Sequence, residues 1–461
     1  MSDRHHRIPR RQRRRVTACF WLVLGLSACS SDSGPPHIVL IVLDTLRADR
    51  LGSYGFELEV SPELDRLGEQ GVRLVNAISQ SPWTRPSIAS ILTSQHPRTL
   101  GIYSERAEIL ADRFETLAEV LQNAGYRTLG STANPNVNPA FNFHQGFDEY
   151  WGTDQVWDWM VPESGQEQSP EPSLPPGKQQ LTRILAARDA ESADQQGRPH
   201  YVQLTLMDIH QADAKPDLIR PSIRELYAEV EPPVDRHYLW GVRQLSQDVA
   251  EFVEAWGAAP GFEDTLFVIV SDHGQGLSSH PDVKGWQKEH HGFYLFESQL
   301  RVPWILYHPG DRLPSGLTIE QPVRLLELMP TVLEIAGVPA PTGMAGEVLV
   351  LAPDAPQPVP EAFVIETQFR GRNKIGLYSE HWKYFENRDG EPGLNRRELH
   401  PQGVMENGMT SDVGARHPQL MRQFSAEIET WERRHPRTGP SVRDSLTSME
   451  EQQLRALGYL E

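Results

Sequence analysis

Two aspartates and a histidine lie at the ends of apolar segments of this 461-residue sequence, and all three side chains can bind a metal ion. Asp44 ends the run 37–43, and Asp272 and His273 follow the run 265–270. A buried carboxylate is costly unless it is paired, solvated or bound to a metal ion. Carboxylates and imidazoles are also common ligands of divalent cations. The sequence therefore predicts a metal site that contains these three side chains.

A hydroxyl and two imidazoles complete a set of groups suited to ester chemistry. Thr84 lies in SPWTRPSIASILTS, which predicts a loop running into a helix, and Pro86 suits the first turn of that helix. Backbone N–H groups at such a helix start favour an anion. His210 follows a third predicted strand, and His291 follows a polar loop. A nucleophile, metal ligands and imidazole acids or bases are what the transfer of a tetrahedral oxyanion requires.

Each of these residues also has an ordinary structural explanation when it is considered alone. Asp44 or Thr84 could cap a helix, and a histidine such as His210 could lie on the surface. The tripeptide Asp-His-Gly is common in loops. The joint occurrence of these residues at successive strand ends is what favours a functional site.

The elements that must position these residues alternate between strand and helix along the chain. A continuous apolar run predicts a buried strand at His37–Leu43, and further strand candidates are Arg127–Ser131, Tyr201–Leu206, Thr265–Val270 and Arg301–Tyr307. Helical patterns cover Pro62–Gln70, Pro86–Leu92, Thr116–Ala124, Arg236–Trp256 and Val323–Ala336. This order is typical of an α/β fold with a mainly parallel central sheet flanked by helices. Ligands collect at the carboxyl ends of such strands, which also draws attention to Asp208.

Changes in composition divide the chain into four predicted parts. These are a signal peptide (1–28), a tether (29–36), a catalytic domain (37–345) and a smaller α+β subdomain (346–461). The subdomain has predicted strands at Ala362–Glu366, Lys374–Tyr378 and Trp382–Phe385, and helices near 416–433 and 448–457. A Pro/Glu/Ser-rich stretch, 160–180, reads as a surface insertion.

The N-terminus predicts export and lipid attachment. A basic segment precedes the apolar run VTACFWLVLGL, which is short for a membrane span and suits a signal peptide. The run ends in LSAC, which resembles the lipobox of bacterial lipoproteins, whose cysteine (here Cys29) is acylated. Ser30 favours the outer membrane, so we expect a lipid-anchored protein of the bacterial cell envelope. An ordinary secretory signal or an uncleaved anchor are the alternatives.

Charge and cysteine content exclude several classes of protein. Cys19 and Cys29 are the two cysteines, so the predicted mature chain has neither a disulfide framework nor a thiolate metal site. The net charge is −18 for the whole sequence. Seven arginines and one aspartate in residues 1–28 give that segment +6, which leaves −24 on the remainder. Such a charge repels polyanions, so we expect no nucleic-acid partner.

Several motifs resemble those of the sulfatases and their relatives in the alkaline phosphatase superfamily. IVLIVLDTLRADRLGSYG is similar to the N-terminal signature of these enzymes, and TRPSIASILTSQHP is similar to their nucleophile loop. AGYRTLGSTANPN, MDIH, SDHGQGL, HGFYLFESQLRVPWILY and LMPTVLEIAGVPAP continue the resemblance in the same order. It covers about residues 37–460 and implies the fold of that superfamily.

The resemblance also implies roles for individual residues. Asp44, Asp272 and His273 would bind a divalent metal ion, with Thr84 as both a ligand and the nucleophile. The metal would be a single Ca²⁺, Mg²⁺ or Mn²⁺.

Further residues match positions near the transferred group. His210 and His291 would contact that group or protonate the leaving oxygen. Asn134 falls near the place where relatives have an oxyanion-binding Lys or Asn. A two-zinc site would instead require Asp208, His210 and His291 to form a second cluster.

Departures from the sulfatase pattern surround the nucleophile. Sulfatases carry Cys or Ser, converted to formylglycine, in the motif C/S-x-P-x-R, whereas this chain has Thr84 and, at the arginine position, Ile88. We hypothesise that Arg85 takes over part of that arginine's role as a substrate-binding residue. Thr45 stands where many sulfatases have a second metal-binding aspartate.

These departures affect the predicted mechanism. Threonine cannot become formylglycine, so a Thr84 ester would have to be resolved by direct attack of water or another acceptor. We therefore expect a hydrolase of sulfate or phosphate esters, with phosphoryl chemistry favoured and a small-molecule or glycan ester as substrate. The alternatives are a phosphoglycerol or phosphoethanolamine transferase of the envelope and a non-catalytic envelope binding protein.

Overall fold

The computed structural model describes residues 34–104, 108–153, 175–191, 197–212, 216–280, 291–390, 394–404, 406, 409–443 and 446–456. The predicted signal peptide, Cys29 and most of the predicted insertion lie outside these residues. From Pro35 onward the chain forms one compact unit. Among the described residues, no helix combines the length and the apolar character needed to cross a bilayer.

A large mixed sheet forms the centre of this unit. Its strands are β1 (His37–Leu43), β2 (Val72–Ile78), β3 (Arg127–Thr132), β4 (Glu149–Trp151), β5 (His200–Leu206), β6 (Thr265–Val270), β7 (Arg301–Tyr307), β8 (Leu317–Ile319) and β9 (Val323–Arg324). Their order is β4-β3-β5-β1-β6-β7-β2-β8, with β9 also paired to β2. The pairs from β4 to β6 are parallel, and β7 runs antiparallel to both of its neighbours. The predicted α/β fold with a mainly parallel sheet is confirmed.

Helices cover both faces of this sheet. They are α1 (Pro62–Gln70), α2 (Thr84–Thr93), α3 (Pro97–Leu100), α4 (Leu117–Asn123), α5 (Pro176–Asp189), α6 (Asp208–Gln211), α7 (Pro221–Arg224), α8 (Pro233–Gly257), α9 (Glu297–Leu300) and α10 (Leu328–Ala336). All seven residues of β1 are buried, because alternate side chains enter two different cores. One core includes α2, α4 and α10, and the other includes α1, α5 and α8. This explains why β1 reads as a continuous apolar run.

A smaller antiparallel sheet follows in the C-terminal part. Its strands are β10 (Ala362–Thr367), β11 (Lys374–Ser379), β12 (Trp382–Asn387) and β13 (Arg397–Pro401), in that order. The helix α11 (Pro418–Arg434) packs Phe424 and Ile428 on one face, and α12 (Ser448–Ala456) follows. The other face joins the core of the large sheet, where the Tyr378 hydroxyl donates to the Leu295 carbonyl at 2.7 Å.

One predicted helix is wrong in its first part. The sequence predicts a helix over Val323–Ala336, but Val323 and Arg324 form β9 and the α-helix begins at Leu328. Pairing of β9 with the end of β2 overrides the local helical pattern. Pro330 lies in the first turn of α10, where its missing N–H costs nothing.

Candidate active site

The carboxyl ends of β1 and β6 bring the predicted metal ligands together. Asp44 directly follows β1. Asp272 and His273 lie just past β6, which pairs with β1 in parallel. The Thr45 backbone N–H donates to Asp272 Oδ1 at 3.4 Å, which links the two strand ends. The side chains of Asp44, Asp272 and His273 offer one ligand atom each, all within 4.8 Å of one another.

The atoms of this triad suit a divalent cation. His273 Nε2 lies 3.7 Å from Asp44 Oδ1 and 3.4 Å from Asp272 Oδ2. Both carboxylate oxygens are buried and have no hydrogen-bond partner. His273 Nδ1 lies 2.8 Å from the Gly274 carbonyl, which can only accept, so Nδ1 carries the proton. In the neutral ring, Nε2 therefore presents its lone pair to the carboxylates, as a metal ligand requires.

Burial makes the triad electrostatically unfavourable by itself. Burial, followed by the charge of Asp272, raises the pKa of Asp44 to about 8. Burial likewise raises the pKa of Asp272 to about 7. The pKa of His273 is lowered by burial, although the nearby Asp44 opposes this shift. A divalent cation would supply the positive charge that these carboxylates lack.

Thr84 faces this triad from the first residue of α2. Its Oγ1 lies 3.1 Å from His273 Nε2. All ten residues of α2 are buried, which fixes the helix in the core. One turn further along, the Ser87 hydroxyl donates to the Asp272 carbonyl at 2.6 Å and ties the start of α2 to the loop after β6. The structure thus brings the predicted nucleophile to the predicted metal ligands.

Asn134 forms hydrogen bonds with both Asp44 and Thr84. Its Nδ2 donates to Asp44 Oδ2 at 2.5 Å and lies 3.3 Å from Thr84 Oγ1. Its Oδ1 accepts from the Asn136 backbone N–H at 2.8 Å. The residue follows β3, two strands away from β1, and is fully buried.

The two predicted acid–base histidines lie side by side near the triad. The His291 ring centroid is 4.7 Å from that of His273 and 5.2 Å from that of His210. His210 comes from α6, which follows β5. His291 Nδ1 lies 2.9 Å from the side-chain oxygen of Gln275, so a proton on Nδ1 leaves Nε2 of the neutral ring as an acceptor.

Asp208 does not join a second metal cluster. Its Oδ2 accepts from the Gly177 backbone N–H at 2.9 Å, and burial together with Asp248 raises its pKa to about 7. Within the part of the chain that the structure describes, Asp44, Asp272 and His273 are the one group of this kind. The Asp208/His210/His291 cluster that a two-zinc site would require is absent from that part.

Arg85 is buried next to the nucleophile. Its Nη2 donates to Asn136 Oδ1 at 2.9 Å, and its guanidinium carbon lies 3.7 Å from the ring centroid of Phe141. A substrate-binding role for Arg85 stays a prediction.

Two features of the site were not anticipated from the sequence. Thr45 adopts φ of 65°, which is strained for a β-branched residue, and its hydroxyl donates to the Asp44 carbonyl at 2.6 Å. Gln275 orients His291 and directly follows the Asp-His-Gly tripeptide. Its polar side chain in that position is a signal that the sequence offered.

Comparisons with known proteins agree with the fold and motifs. The family model described as Sulfatase matches residues 36–338. An ulvan-active sulfatase from Formosa agariphila is 25% identical over 333 residues, covering 68% of this chain and 64% of that relative. The matched region is thus somewhat less than two thirds of the relative's length.

Solved structures resemble the chain in fold. A phosphonate monoester hydrolase of Agrobacterium radiobacter aligns with a TM-score of 0.68 and 15% identity, covering 87% of this chain and 96% of that one. A protein solved in complex with D-glucosamine-2-N,6-O-disulfate aligns with a TM-score of 0.66 and 15% identity, covering 88% and 99%.

Proposed function

The chain belongs to the sulfatase family, and we propose that it is a metal-dependent hydrolase of sulfate or phosphate esters that uses Thr84 as its nucleophile. The observation that carries this proposal is the position of Thr84 Oγ1, which lies 3.1 Å from His273 Nε2 within the Asp44/Asp272/His273 triad. A scaffold protein would have no need of this arrangement, which argues against a non-catalytic binding role.

The residues of the site can carry a two-step displacement. A bound divalent cation would lower the pKa of the Thr84 hydroxyl and neutralise charge on the transferred group. Thr84 Oγ1 loses its proton to solvent and attacks the central phosphorus or sulfur, the bond to the leaving oxygen breaks, and His210 or His291 protonates that oxygen. Water then gives a proton to the same histidine and attacks the same atom, the bond to Thr84 Oγ1 breaks, and this oxygen regains a proton from solvent as the acid product leaves.

The threonine favours phosphoryl over sulfuryl transfer. A formylglycine hydrate can expel sulfate by collapsing to its aldehyde, whereas a threonine ester has no such exit. The second step must therefore be a direct displacement at phosphorus or sulfur. A phosphonate monoester hydrolase is among the proteins with a similar fold, which supports the proposal of phosphoryl transfer.

The structural neighbours also support a glycan or small-molecule ester as the substrate. One of them was solved with a disulfated glucosamine. An envelope transferase is a second candidate, because a Thr84 ester could also be attacked by an alcohol instead of water. Formation of a new ester in the presence of glycerol would distinguish it from a hydrolase.

A panel of matched substrates tests the function. The metal-loaded protein is assayed with an aryl sulfate, an aryl phosphate monoester and an aryl phosphodiester. We expect hydrolysis of at least one, with the phosphodiester or monoester faster than the sulfate. Thr84→Ala should lower kcat/KM by about 10³-fold or more, because the attacking oxygen is removed.

A matched variant controls for effects on the helix. Thr93 is another buried threonine of α2, and its hydroxyl donates to the Ala89 carbonyl at 2.7 Å. Thr93→Ala should leave kcat/KM within about twofold of the wild type. Full activity of Thr84→Ala on every substrate turned over would refute the nucleophile assignment. A protein that binds no metal and hydrolyses none of the three substrates would refute the enzyme proposal.

We further propose that Cys29 anchors the protein in the bacterial envelope, on the basis of the LSAC sequence at residues 26–29. Cys29→Ala should abolish the incorporation of labelled fatty acid into the protein in its host. Equal fatty-acid labelling of the variant and the wild type would contradict lipid attachment at this cysteine.

A further inference from the structure

A chain of buried hydrogen bonds connects Arg85 to the centre of the site. Arg85 Nη2 donates to Asn136 Oδ1 at 2.9 Å, and the Asn136 backbone N–H donates to Asn134 Oδ1 at 2.8 Å. Asn134 Nδ2 then donates to Asp44 Oδ2 at 2.5 Å. Asn134 and Asn136 are fully buried, and Arg85 is 1% exposed. These hydrogen bonds therefore lie in the protein interior, where competing water weakens them little.

This series of hydrogen bonds determines which way the Asn134 amide faces. The backbone N–H of Asn136 can only donate, so the oxygen of the Asn134 amide must face it. The NH₂ group of Asn134 is thereby turned toward Asp44 and Thr84. In the opposite orientation, the amide oxygen would face the Asp44 carboxylate, and both groups would be acceptors.

Arg85 is held in a defined place at the start of this chain. Its guanidinium carbon lies 3.7 Å from the centroid of the Phe141 ring and 5.7 Å from that of Trp83. A cation above an aromatic face is attracted to the ring more strongly when water is excluded. Asn136 lies in the short helical turn Pro135–Val137, so its side chain and its backbone N–H are fixed together.

We propose that Arg85 is a positioning residue, which acts through Asn136 to hold Asn134 against the metal-binding carboxylate of Asp44 and the nucleophile Thr84. This inference rests on the proposed function, because it assigns Arg85 to the same site. It gives Arg85 a role different from the substrate contact that the sequence suggests. With Oδ2 held by Asn134, Asp44 presents Oδ1 toward His273, where this oxygen would be available to hold a cation. Hydrogen bonds to ligating carboxylates typically affect metal affinity by 10–100-fold.

The test uses two variants that break the same chain at different points. Arg85→Met keeps an unbranched side chain over Phe141 but loses the donor. Asn136→Ala keeps the backbone N–H but loses the acceptor for Arg85. We expect each to lower the Mn²⁺ affinity of the purified full chain by about 10-fold, measured by electron paramagnetic resonance titration. Each should also lower kcat by about 10-fold, with KM changed less than twofold.

The double variant and a conservative variant sharpen the test. Arg85→Met combined with Asn136→Ala should have no larger effect than either change alone, because both break one connection. Asn136→Asp keeps the oxygen that accepts from Arg85 and should retain Mn²⁺ affinity and kcat within about threefold. Additive losses in the double variant would contradict the proposal.

Arg188→Met serves as the matched control for loss of a buried arginine. Arg188 lies over the rings of Trp256 and Phe262, at 5.2 and 5.3 Å, and donates to the Trp256 carbonyl. Its replacement should lower the unfolding temperature but leave Mn²⁺ affinity and kcat unchanged.

The outcomes separate this inference from the proposed function. If Arg85→Met raises KM more than 10-fold with Mn²⁺ affinity intact, Arg85 binds substrate directly and the positioning role is wrong. If the wild type binds Mn²⁺ and both single variants match it, the positioning role alone fails. If the wild type neither binds Mn²⁺ nor hydrolyses any ester, the proposed function fails and the inference with it.

Discussion

Charged and polar side chains are buried at both ends of the parallel strands of the central sheet, and the two groups are held differently. At the amino end, His37 begins β1, Arg127 begins β3 and His200 begins β5. At the carboxyl end, Asp44 follows β1 and Asp272 lies just past β6. These residues belong to the four neighbouring strands β3, β5, β1 and β6, and β1 carries a polar group at each end.

The amino-end group is internally paired. His200 Nε2 lies 2.6 Å from Glu191 Oε2, and Arg127 forms an ion pair with Asp148 at 3.2 Å. His37 Nδ1 accepts from the His200 backbone N–H, and His37 Nε2 donates to the Gly261 carbonyl. Partners of this kind offset the cost of burial, so this end can contribute to stability.

The carboxyl-end group accepts hydrogen bonds from Asn134 and from the Thr45 and His273 backbone N–H groups, but among the described residues no lysine or arginine pairs with its two carboxylates. Asp44 Oδ1 and Asp272 Oδ2 are buried without a hydrogen bond, and the pKa values of both residues are raised by burial. Unpaired buried carboxylates destabilise a fold until a cation binds. The charges at the amino end are therefore offset within the protein, whereas a bound cation would offset those at the carboxyl end.

The largest expected effect follows the removal of a carboxylate at the carboxyl end. Asp272→Asn keeps Oδ1, which accepts from the His273 backbone N–H, but replaces the unpaired Oδ2 with an NH₂ group. We expect kcat/KM to fall by about 10³-fold and bound metal to be lost, as assays and elemental analysis would measure. In chelator, the free energy of unfolding should stay equal or rise by about 1–2 kcal/mol, because a repulsive charge is removed. A fall of more than about 1 kcal/mol in the free energy of unfolding of Asp272→Asn would show that Asp272 stabilises the metal-free fold, as the amino-end residues do.

The reverse pattern is expected at the amino end. Glu191→Gln removes the charge that faces His200 and Arg127, whose side chains are also buried. The free energy of unfolding from chemical denaturation should fall by about 2–4 kcal/mol, while kcat of the folded enzyme stays within about twofold. The exposed pair of Arg66 and Glu254 provides the control, since Glu254→Gln should cost less than about 1 kcal/mol. A large loss of kcat in Glu191→Gln would show that the amino end also serves the site.

A third prediction concerns the pH dependence of stability. The pKa of Asp44 is about 8 in the fold, against an ordinary value of 3.8, so the folded state binds more protons between these limits. Stability of the metal-free protein should therefore fall as pH rises toward 8 and then level off. Between pH 6.5 and pH 9 we expect a loss of about 1–2 kcal/mol relative to Asp44→Asn, measured by denaturant unfolding in chelator. Parallel pH profiles for the two proteins would show that Asp44 is stabilised by something other than a cation.

The smallest effect is expected at His37. His37→Gln keeps a donor that can reach the Gly261 carbonyl but loses the ring nitrogen that accepts from the His200 N–H. The free energy of unfolding at pH 7 should fall by about 1 kcal/mol, the value of one buried hydrogen bond, with no change in kcat or metal content. An altered metal content in this variant would mean that the two ends of β1 are coupled.

Much of the fold could be predicted from the sequence because strong local patterns were not overridden by pairing with distant segments. The predicted bounds of β1, β6, β7 and α1 agree with the structure, since each is a continuous apolar run or a helix that begins at a proline. The strand β2 was missed because three of its seven residues are only partly buried, which weakens the apolar run. The helix predicted over 323–336 began too early because the partner of β9 is a strand about 245 residues away.

The sequence by itself determined the kinds of group at the site, because Asp44, Thr84, Asp272 and His273 belong to recognisable motifs next to strand or helix ends. Only the tertiary structure decided which of these groups meet. Asp44 and Asp208 both follow apolar strands, yet one faces His273 while the other accepts from the Gly177 backbone N–H. The reason is physical: strand order and side-chain direction are set by packing between segments far apart in the chain, and no local pattern encodes them.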